Sequence, residues 1–335
     1  MRHYFKLQGE IRVLFLLCIF IVGCSAPSTE TTESPTNTLP PLTAIVAHPI
    51  ASTGCGQKSA VPPGHNQVQT FFSGRIRRSY LLHIPRSYRD TIQQPLVLNF
   101  HGHGDNAEQQ ALYSNFSVLA DRQDFVVAYP QGVVGPDKQT GWATGPARNP
   151  HVNDLLFVSD MLNKLQSSFC INPSRIYATG FSNGGGMTDV LACKMADRIA
   201  AFAPVSGSYP AVPGGCYPAR PVPILEFHGT GDQVVPYDGS RAKSYPPIQQ
   251  WLAGWVALDG CTAPPVMTRV LPTVTEEQWQ GCRGDATLIH YQIAHWPHAW
   301  PHFTSVRHNS SQHPIATDSF NATPIIWTFF LAHPL

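Results

Sequence analysis

Residues 175–187, RIYATGFSNGGGM, decide how this chain is read. Ile176 to Ala178 is a short apolar run with the length and the β-branched and aromatic character of a buried strand. Gly180, Ser182 and Gly184 then fall in the spacing G-x-S-x-G, and apolar residues resume in helical rhythm at Met187, Val190, Leu191 and Met195. A strand, a tight turn with a serine at its tip, and then a helix form the context in which this spacing carries chemistry, because the strained turn lifts the hydroxyl clear of the backbone. A serine among glycines is often only a turn former. With 26 glycines in 335 residues the bare spacing arises by chance roughly 0.1 times. Three consecutive glycines, Gly184 to Gly186, open the expected helix against its propensity. A local rule broken at one spot marks a functional or strained site.

Outward from this stretch, apolar runs and helical patterns alternate. Arg77–Pro85, Pro95–Phe100, Phe125–Tyr129, Ile199–Val205, Val222–Phe227 and Thr287–Ala294 read as strands. Asn115–Gln123, Val152–Ser168, Ile248–Leu258 and Pro324–Leu331 read as helices, and a Gly/Pro-rich loop carrying Trp142 follows the third strand. This alternation calls for an α/β fold with a mostly parallel central sheet and helices on both faces.

A serine hydroxyl needs a base to take its proton. The run Val222–Phe227 leads into His228-Gly-Thr-Gly-Asp232, which places Asp232 a turn beyond a strand end. Asp238 is its nearest rival, and an Asx-turn is the bland use of either. Thr287–Ala294 is followed by His295-Trp-Pro-His298, and position alone admits either histidine. The backbone N–H groups expected to face a developing oxyanion are those of Asn183, directly after the serine, and His103, in the HGHG turn after Pro95–Phe100. No third ligand accompanies His101 and His103 in that turn, so no metal site is expected. Trp142, Trp296 and Trp300 fall on loops at the same face and are candidates for binding a flat substrate group.

Charged residues make up only 13% and the formal net charge is +1, so nothing points to nucleic acid. Arg2, Lys6 and Arg12 precede an apolar run, Val13–Val22, that is too short to span a bilayer comfortably. Residues 1–23 therefore read as an export signal. The end of that run, Ile-Val-Gly-Cys24, resembles a bacterial lipobox, with Cys24 lipidated; the alternative is ordinary cleavage near Ala26. Residues 24–53, rich in Ser, Thr and Pro, read as a tether, and 54–335 as one folded domain.

The chain resembles the secreted feruloyl esterase and polyhydroxybutyrate depolymerase-like branch of the α/β-hydrolases. RIYATGFSNGGGMT (175–188), FHGTGDQVVPY (227–237), the HGHG turn (101–104), NDLLFVSDML (153–162) and HAWP (298–301) carry the resemblance. It implies an α/β-hydrolase fold and cofactor-free hydrolysis of carboxylic esters through an acyl-enzyme. Ser182 would be the nucleophile, Asp232 the acid and His298 the base. The resemblance points to a feruloyl esterase acting on plant cell-wall esters. A polyester depolymerase, an acetylxylan esterase, a serine peptidase and an inactive carbohydrate-binding relative are the alternatives. Trp296-Pro297 stands where family members often carry a glycine pair.

An exported monomer is expected, meeting the membrane only through the lipid on Cys24. Six cysteines lie beyond the N-terminal segment, and no C-x-x-C pair occurs. Export makes disulfides their expected use. Of 15 connectivities, sequence neighbours favour Cys193–Cys216 and Cys261–Cys282, leaving Cys55–Cys170. Asn115, Asn309 and Asn321 lie in N-x-S/T sequons.

Overall fold

The protein is described by a computed structural model covering residues 52–145, 152–302 and 320–335. The expected export signal, Cys24, nearly all of the expected tether and Asn309 lie outside the described residues. The described residues begin at Ser52, two positions before the expected start of the folded domain. Ser52 Oγ donates to the carbonyls of Gln166 and Phe169 and accepts from Ile171 N–H, so it belongs to the fold.

In chain order the elements are β1 (Asn66–Ser73), β2 (Ile76–His83), β3 (Gln94–Phe100), α1 (Ala107–Ser114), α2 (Phe116–Gln123), β4 (Val126–Pro130) and a small hairpin of β5 (Val133–Val134) and β6 (Thr140–Gly141). Then follow α3 (Asp154–Ser168), β7 (Ile171–Phe181), α4 (Asn183–Lys194), β8 (Ala201–Val205), β9 (Ile224–Gly229), α5 (Ile248–Asp259), β10 (Val266–Leu271), β11 (Val274–Trp279), β12 (Leu288–Ile293) and α6 (Ala322–Ala332). The large sheet runs β1-β2-β4-β3-β7-β8-β9-β12-β11-β10. From β4 to β12 neighbouring strands are parallel, and antiparallel pairs finish both edges. This is the α/β-hydrolase fold expected from the sequence.

Strand periodicity divides the core between the two faces. Leu96, Leu98 and Phe100 of β3 and Ile176 and Ala178 of β7 pack on one side with Phe157, Met161 and Leu165 of α3, Leu191 of α4, and Leu252 and Trp255 of α5. Val97 and Tyr177, one position out of step, pack on the other with Ala111 of α1, Phe116 and Ala120 of α2, and Ile326 and Phe330 of α6. Because the central strands are parallel, their C-terminal ends gather at one edge of the sheet, where such folds build their sites.

Cys55–Cys170, Cys193–Cys216 and Cys261–Cys282 are bonded. The first ties the domain's N-terminal segment to the chain entering β7. Two sequon asparagines serve as helix caps instead: Asn115 is the left-handed residue between α1 and α2, and Asn321 Oδ1 accepts from Thr323 N–H at the start of α6.

One buried acid joins α4 to α5. Asp189 Oδ1 accepts from both Trp251 and Trp255 Nε1 at 3.0 Å. Burial pushes its carboxyl up to about 6, against the pull of those two donors. The folded state therefore binds this proton more tightly than the unfolded chain does, and ionising Asp189 costs stability as pH rises from about 4 to about 6. An Asp189→Asn variant keeps an acceptor for both indoles without that cost. Its stability relative to wild type, from urea unfolding, should rise by about 2–3 kcal/mol between pH ~4 and pH ~7. A difference independent of pH would contradict this.

Candidate active site

Ser182 sits between β7 and α4 with φ 57° and ψ −117°, a conformation that L-residues rarely adopt. Two glycines make the turn possible by close approach. A Cβ on Gly184 would lie 2.1 Å from the Phe100 carbonyl oxygen, and one on Gly180 would lie 2.5 Å from the Gly184 oxygen. Ser182 N–H donates to Val205 O, and Ser182 O accepts from Gly186 and Ser208 N–H, so the strained residue is tied to β8, to the turn that follows it, and to its own helix.

Asp232 follows β9 and is buried. Oδ1 accepts from Val234 and Val235 N–H at 2.9 and 2.8 Å, which is the Asx-turn use of the residue. Oδ2 is left for histidine: His298 Nδ1 donates to it at 2.6 Å. Burial disfavours the Asp232 anion, yet hydrogen bonds from His228 and His298 and from the backbone hold its carboxyl well below the usual range. The His298 ring lies against Phe181, 4.7 Å between centroids, so the imidazole stands beside the residue that precedes Ser182. His295, its sequence rival, is exposed at φ 57° and donates its backbone N–H to Thr230 Oγ1. Asp238, the rival acid, is exposed.

The turn after β3 arrives from the other side. A Cβ on Gly102 would be 3.5 Å from Ser182 Cβ, which brings the backbone of the HGHG turn against the serine. His103 turns its side chain outward to Asp137 at 2.7 Å, and among the described residues no hydrogen bond is made by its backbone N–H. Asn183 is the first residue of α4, so its N–H has no acceptor within the helix. The Asn183 N–H directly follows the serine at the start of α4, where the helix dipole favours a negative charge, and the backbone of the HGHG turn comes against the serine through Gly102.

His101, read from sequence only as one half of a histidine pair, anchors this turn. Its Nδ1 donates to Gly102 O at 2.7 Å and its Nε2 accepts from Gly132 N–H at 2.9 Å. Burial lowers it to about 4, against that backbone contact, so it is a neutral structural group. The Asn183 side chain was also missed. Oδ1 accepts from Trp142 N–H, and Nδ2 donates to Thr144 Oγ1 and to Trp142 O, clamping the loop beside the serine. Asp154 Oδ2 accepts from Ala143 N–H in the same loop while Oδ1 pairs with Arg78 at 2.7 Å.

Two of the three tryptophans offered as substrate contacts are packing residues. Trp142 has no exposed surface: Nε1 donates to His101 O and the ring packs on Phe100 and His101. Trp300 is 2% exposed, donates from Nε1 to Thr323 Oγ1 and packs on Phe116. Loop position suggested exposure, whereas the loops fold back into the core and satisfy both indoles there. Trp296 is half-buried, with Nε1 donating to Ala299 O.

Against known proteins, the family described as esterase PHB depolymerase matches residues 78–220. The chain is 34% identical over 217 residues to feruloyl esterase B of Piromyces equi, covering 62% of this chain and 40% of that protein. It is 30% identical over 212 residues to the probable feruloyl esterase C of Aspergillus niger, covering 61% of this chain and 70% of that protein. The chain thus spans less than half of the Piromyces protein. Among solved structures, the acetyl xylan esterase from Aspergillus awamori superposes with a TM-score of 0.54 at 15% identity, over 70% of this chain and 94% of that one, a likeness of fold.

Trp300→Phe tests the packing role. It removes one buried hydrogen bond and some ring volume, so stability should fall by about 1–2 kcal/mol. The KM for any ester that the protein cleaves should stay within about twofold. A several-fold rise in KM with unchanged stability would restore Trp300 to the substrate.

Proposed function

The chain belongs to the feruloyl esterase and polyhydroxybutyrate depolymerase-like family of α/β-hydrolases, and on that premise we propose that it is an extracytoplasmic serine carboxylesterase with Ser182, Asp232 and His298 as its catalytic triad. The observation that carries this reading is the 2.6 Å hydrogen bond from His298 Nδ1 to Asp232 Oδ2, made by an imidazole that lies against Phe181, the residue before the serine on the strained strand-to-helix turn. With Nδ1 committed to Asp232, Nε2 is the nitrogen left for the Ser182 hydroxyl.

In the first half-reaction Ser182 Oγ attacks the ester carbonyl carbon and its proton passes to His298 Nε2. The carbonyl oxygen becomes an oxyanion facing the N–H groups of Asn183 and His103. As the intermediate collapses, the bond to the alcohol breaks and the alkoxide takes the proton from His298, leaving an acyl-Ser182 ester. Water then attacks that ester, giving its proton to His298. Collapse of the second intermediate returns the proton to Ser182 Oγ and frees the acid. Asp232 keeps the imidazole oriented and balances its charge while the proton is held. No cofactor takes part in these steps.

The substrate class we propose is a hydroxycinnamate ester of plant cell wall, supported by the feruloyl esterases among the relatives. The three disulfides suit an oxidising, extracellular location. The lipobox-like sequence ending at Cys24 supports anchoring there.

Methyl ferulate, 3-hydroxybutyrate oligomers and acetylated xylan, assayed side by side, test the reading. Ferulate release should dominate. Ser182→Ala and His298→Ala should each lower kcat by about a thousandfold or more, and His295→Ala should stay within about threefold of wild type. Serine-dependent release of 3-hydroxybutyrate or acetate instead would keep the mechanism and overturn the substrate. Loss in His295→Ala with activity kept in His298→Ala would move the base.

Anchoring is checked separately in a bacterial host with labelled palmitate. The wild-type chain should take up label and fractionate with membranes, whereas Cys24→Ser should be unlabelled. Label retained in Cys24→Ser would rule out that anchor.

A further inference from the structure

Behind the Asp232–His298 pair lies a second set of buried polar groups that the mechanism above does not use. His228 and Glu226 follow Ile224 at alternate positions along β9, so all three point to the α5 side of the sheet. His290 of β12 pairs with Glu226 in register and points the same way. Glu226, His228 and His290 are all buried.

The hydrogen bonds assign the protons. Glu226 is ringed by donors: Tyr209 OH reaches Oε1 at 3.1 Å, His228 Nδ1 reaches Oε1 at 3.0 Å and His290 Nδ1 reaches Oε2 at 2.6 Å. Tyr209 donates to Oε1, and His290, whose Nε2 faces the Tyr237 hydroxyl, donates from Nδ1 to Oε2; with both oxygens accepting and two imidazoles beside it, the carboxyl is held as an anion. Tyr237 OH already accepts from Gln249, so its own proton is available for His290 Nε2 at 3.0 Å. His228 has no such acceptor role open to it. Its Nε2 lies 2.9 Å from the Val235 carbonyl, which can only accept, and 3.4 Å from Asp232 Oδ2, while its Nδ1 faces the Glu226 anion. Both ring nitrogens therefore carry protons. Burial alone would lower His228, but its contacts with Asp232 and Glu226 and with Val235 O outweigh it and raise it to about 10. The same contacts work the other way on Glu226: burial would raise it, yet His290 and His228 hold it at about 2.

We infer that His228 is a permanent buried imidazolium that positions Asp232 and opposes the positive charge His298 acquires in turnover. This rests on the triad reading above. His228 and His298 meet the same oxygen, Asp232 Oδ2, from two sides. Asp232 thus shares its charge between a fixed cation and a transient one. A fixed cation on that oxygen disfavours a second positive charge on the imidazole across from it. It also makes the protonated base readier to release its proton to the leaving alcohol. Around this pair the charged and titratable neighbours are Glu226 and His290 on the sheet, Tyr209 after β8, and Tyr237 in the loop before α5, whose ring stands edge-on to His228. Asp105, just after the HGHG turn, is close enough to His298 to feel its charge.

The test is kcat/KM against pH with 4-nitrophenyl acetate, a substrate independent of the natural ester, for wild type, Ser182→Ala, His228→Gln and His228→Lys. Glutamine keeps a neutral donor toward Asp232 but no charge. The acid limb should move to higher pH by about one unit in His228→Gln, and should return toward the wild-type position in His228→Lys, which restores a cation. Limb position is read from the active fraction alone, so poor yield does not blur it. A limb unmoved in His228→Gln, with Ser182→Ala inactive, overturns the inference and leaves the triad standing. Activity surviving in Ser182→Ala overturns the triad itself. A second measurement needs no variant. In the protein carrying ¹⁵N-labelled histidine, one imidazole should show both ring nitrogens protonated at pH ~8 and above. Finding none overturns the inference.

Discussion

Ser182 holds a backbone conformation that a side-chain-bearing residue adopts only under constraint, and much of the domain is arranged to supply that constraint. β3 and β7 lie side by side, and α4 leaves β7 so close to β3 that no Cβ fits at Gly184. β8 on the other flank accepts the Ser182 N–H through Val205. The strain is thus balanced by sheet hydrogen bonds on both sides and by α4 packed against the core through Met187 and Leu191. An exposed loop could not hold a serine this way; a buried parallel sheet can.

The same edge of the sheet delivers the remaining groups. Asp232, His298 and the HGHG turn arrive from the ends of β9, β12 and β3, each fixed by local bonds before any substrate is present. Asp232 spends one oxygen on its own loop and the other on histidines. His101 locks the turn that faces the serine, and Asn183 locks the loop carrying Trp142. The geometry of the proposed site is set by bonds that touch no reacting atom, a pattern expected where precise placement carries much of the rate.

The centre of the fold was legible in the sequence because its signals are local. β7, the glycine turn and α4 are contiguous, and β3, β4, β8, β9 and β12 are apolar runs of strand length. The outermost strands were not legible. β1 alternates polar and half-buried residues, and β10 is exposed along nearly all its length, so neither presents an apolar run. α1 was hidden for a similar reason, with only small or polar residues buried. The tryptophan loops misled because position in a loop does not reveal whether the ring turns outward or back into the core. The Glu226, His228 and His290 set could not be read at all, since His290 lies 64 positions from the carboxylate it meets.

The central claim is that Ser182 is the nucleophile activated by His298. Its most direct test is intact-mass and peptide analysis after treatment with a fluorophosphonate. A single adduct on the Ser182 peptide, formed at a rate that collapses in His298→Ala while unfolded protein stays unlabelled, is the predicted result. No adduct on the folded protein, or one on any other residue, would contradict the account.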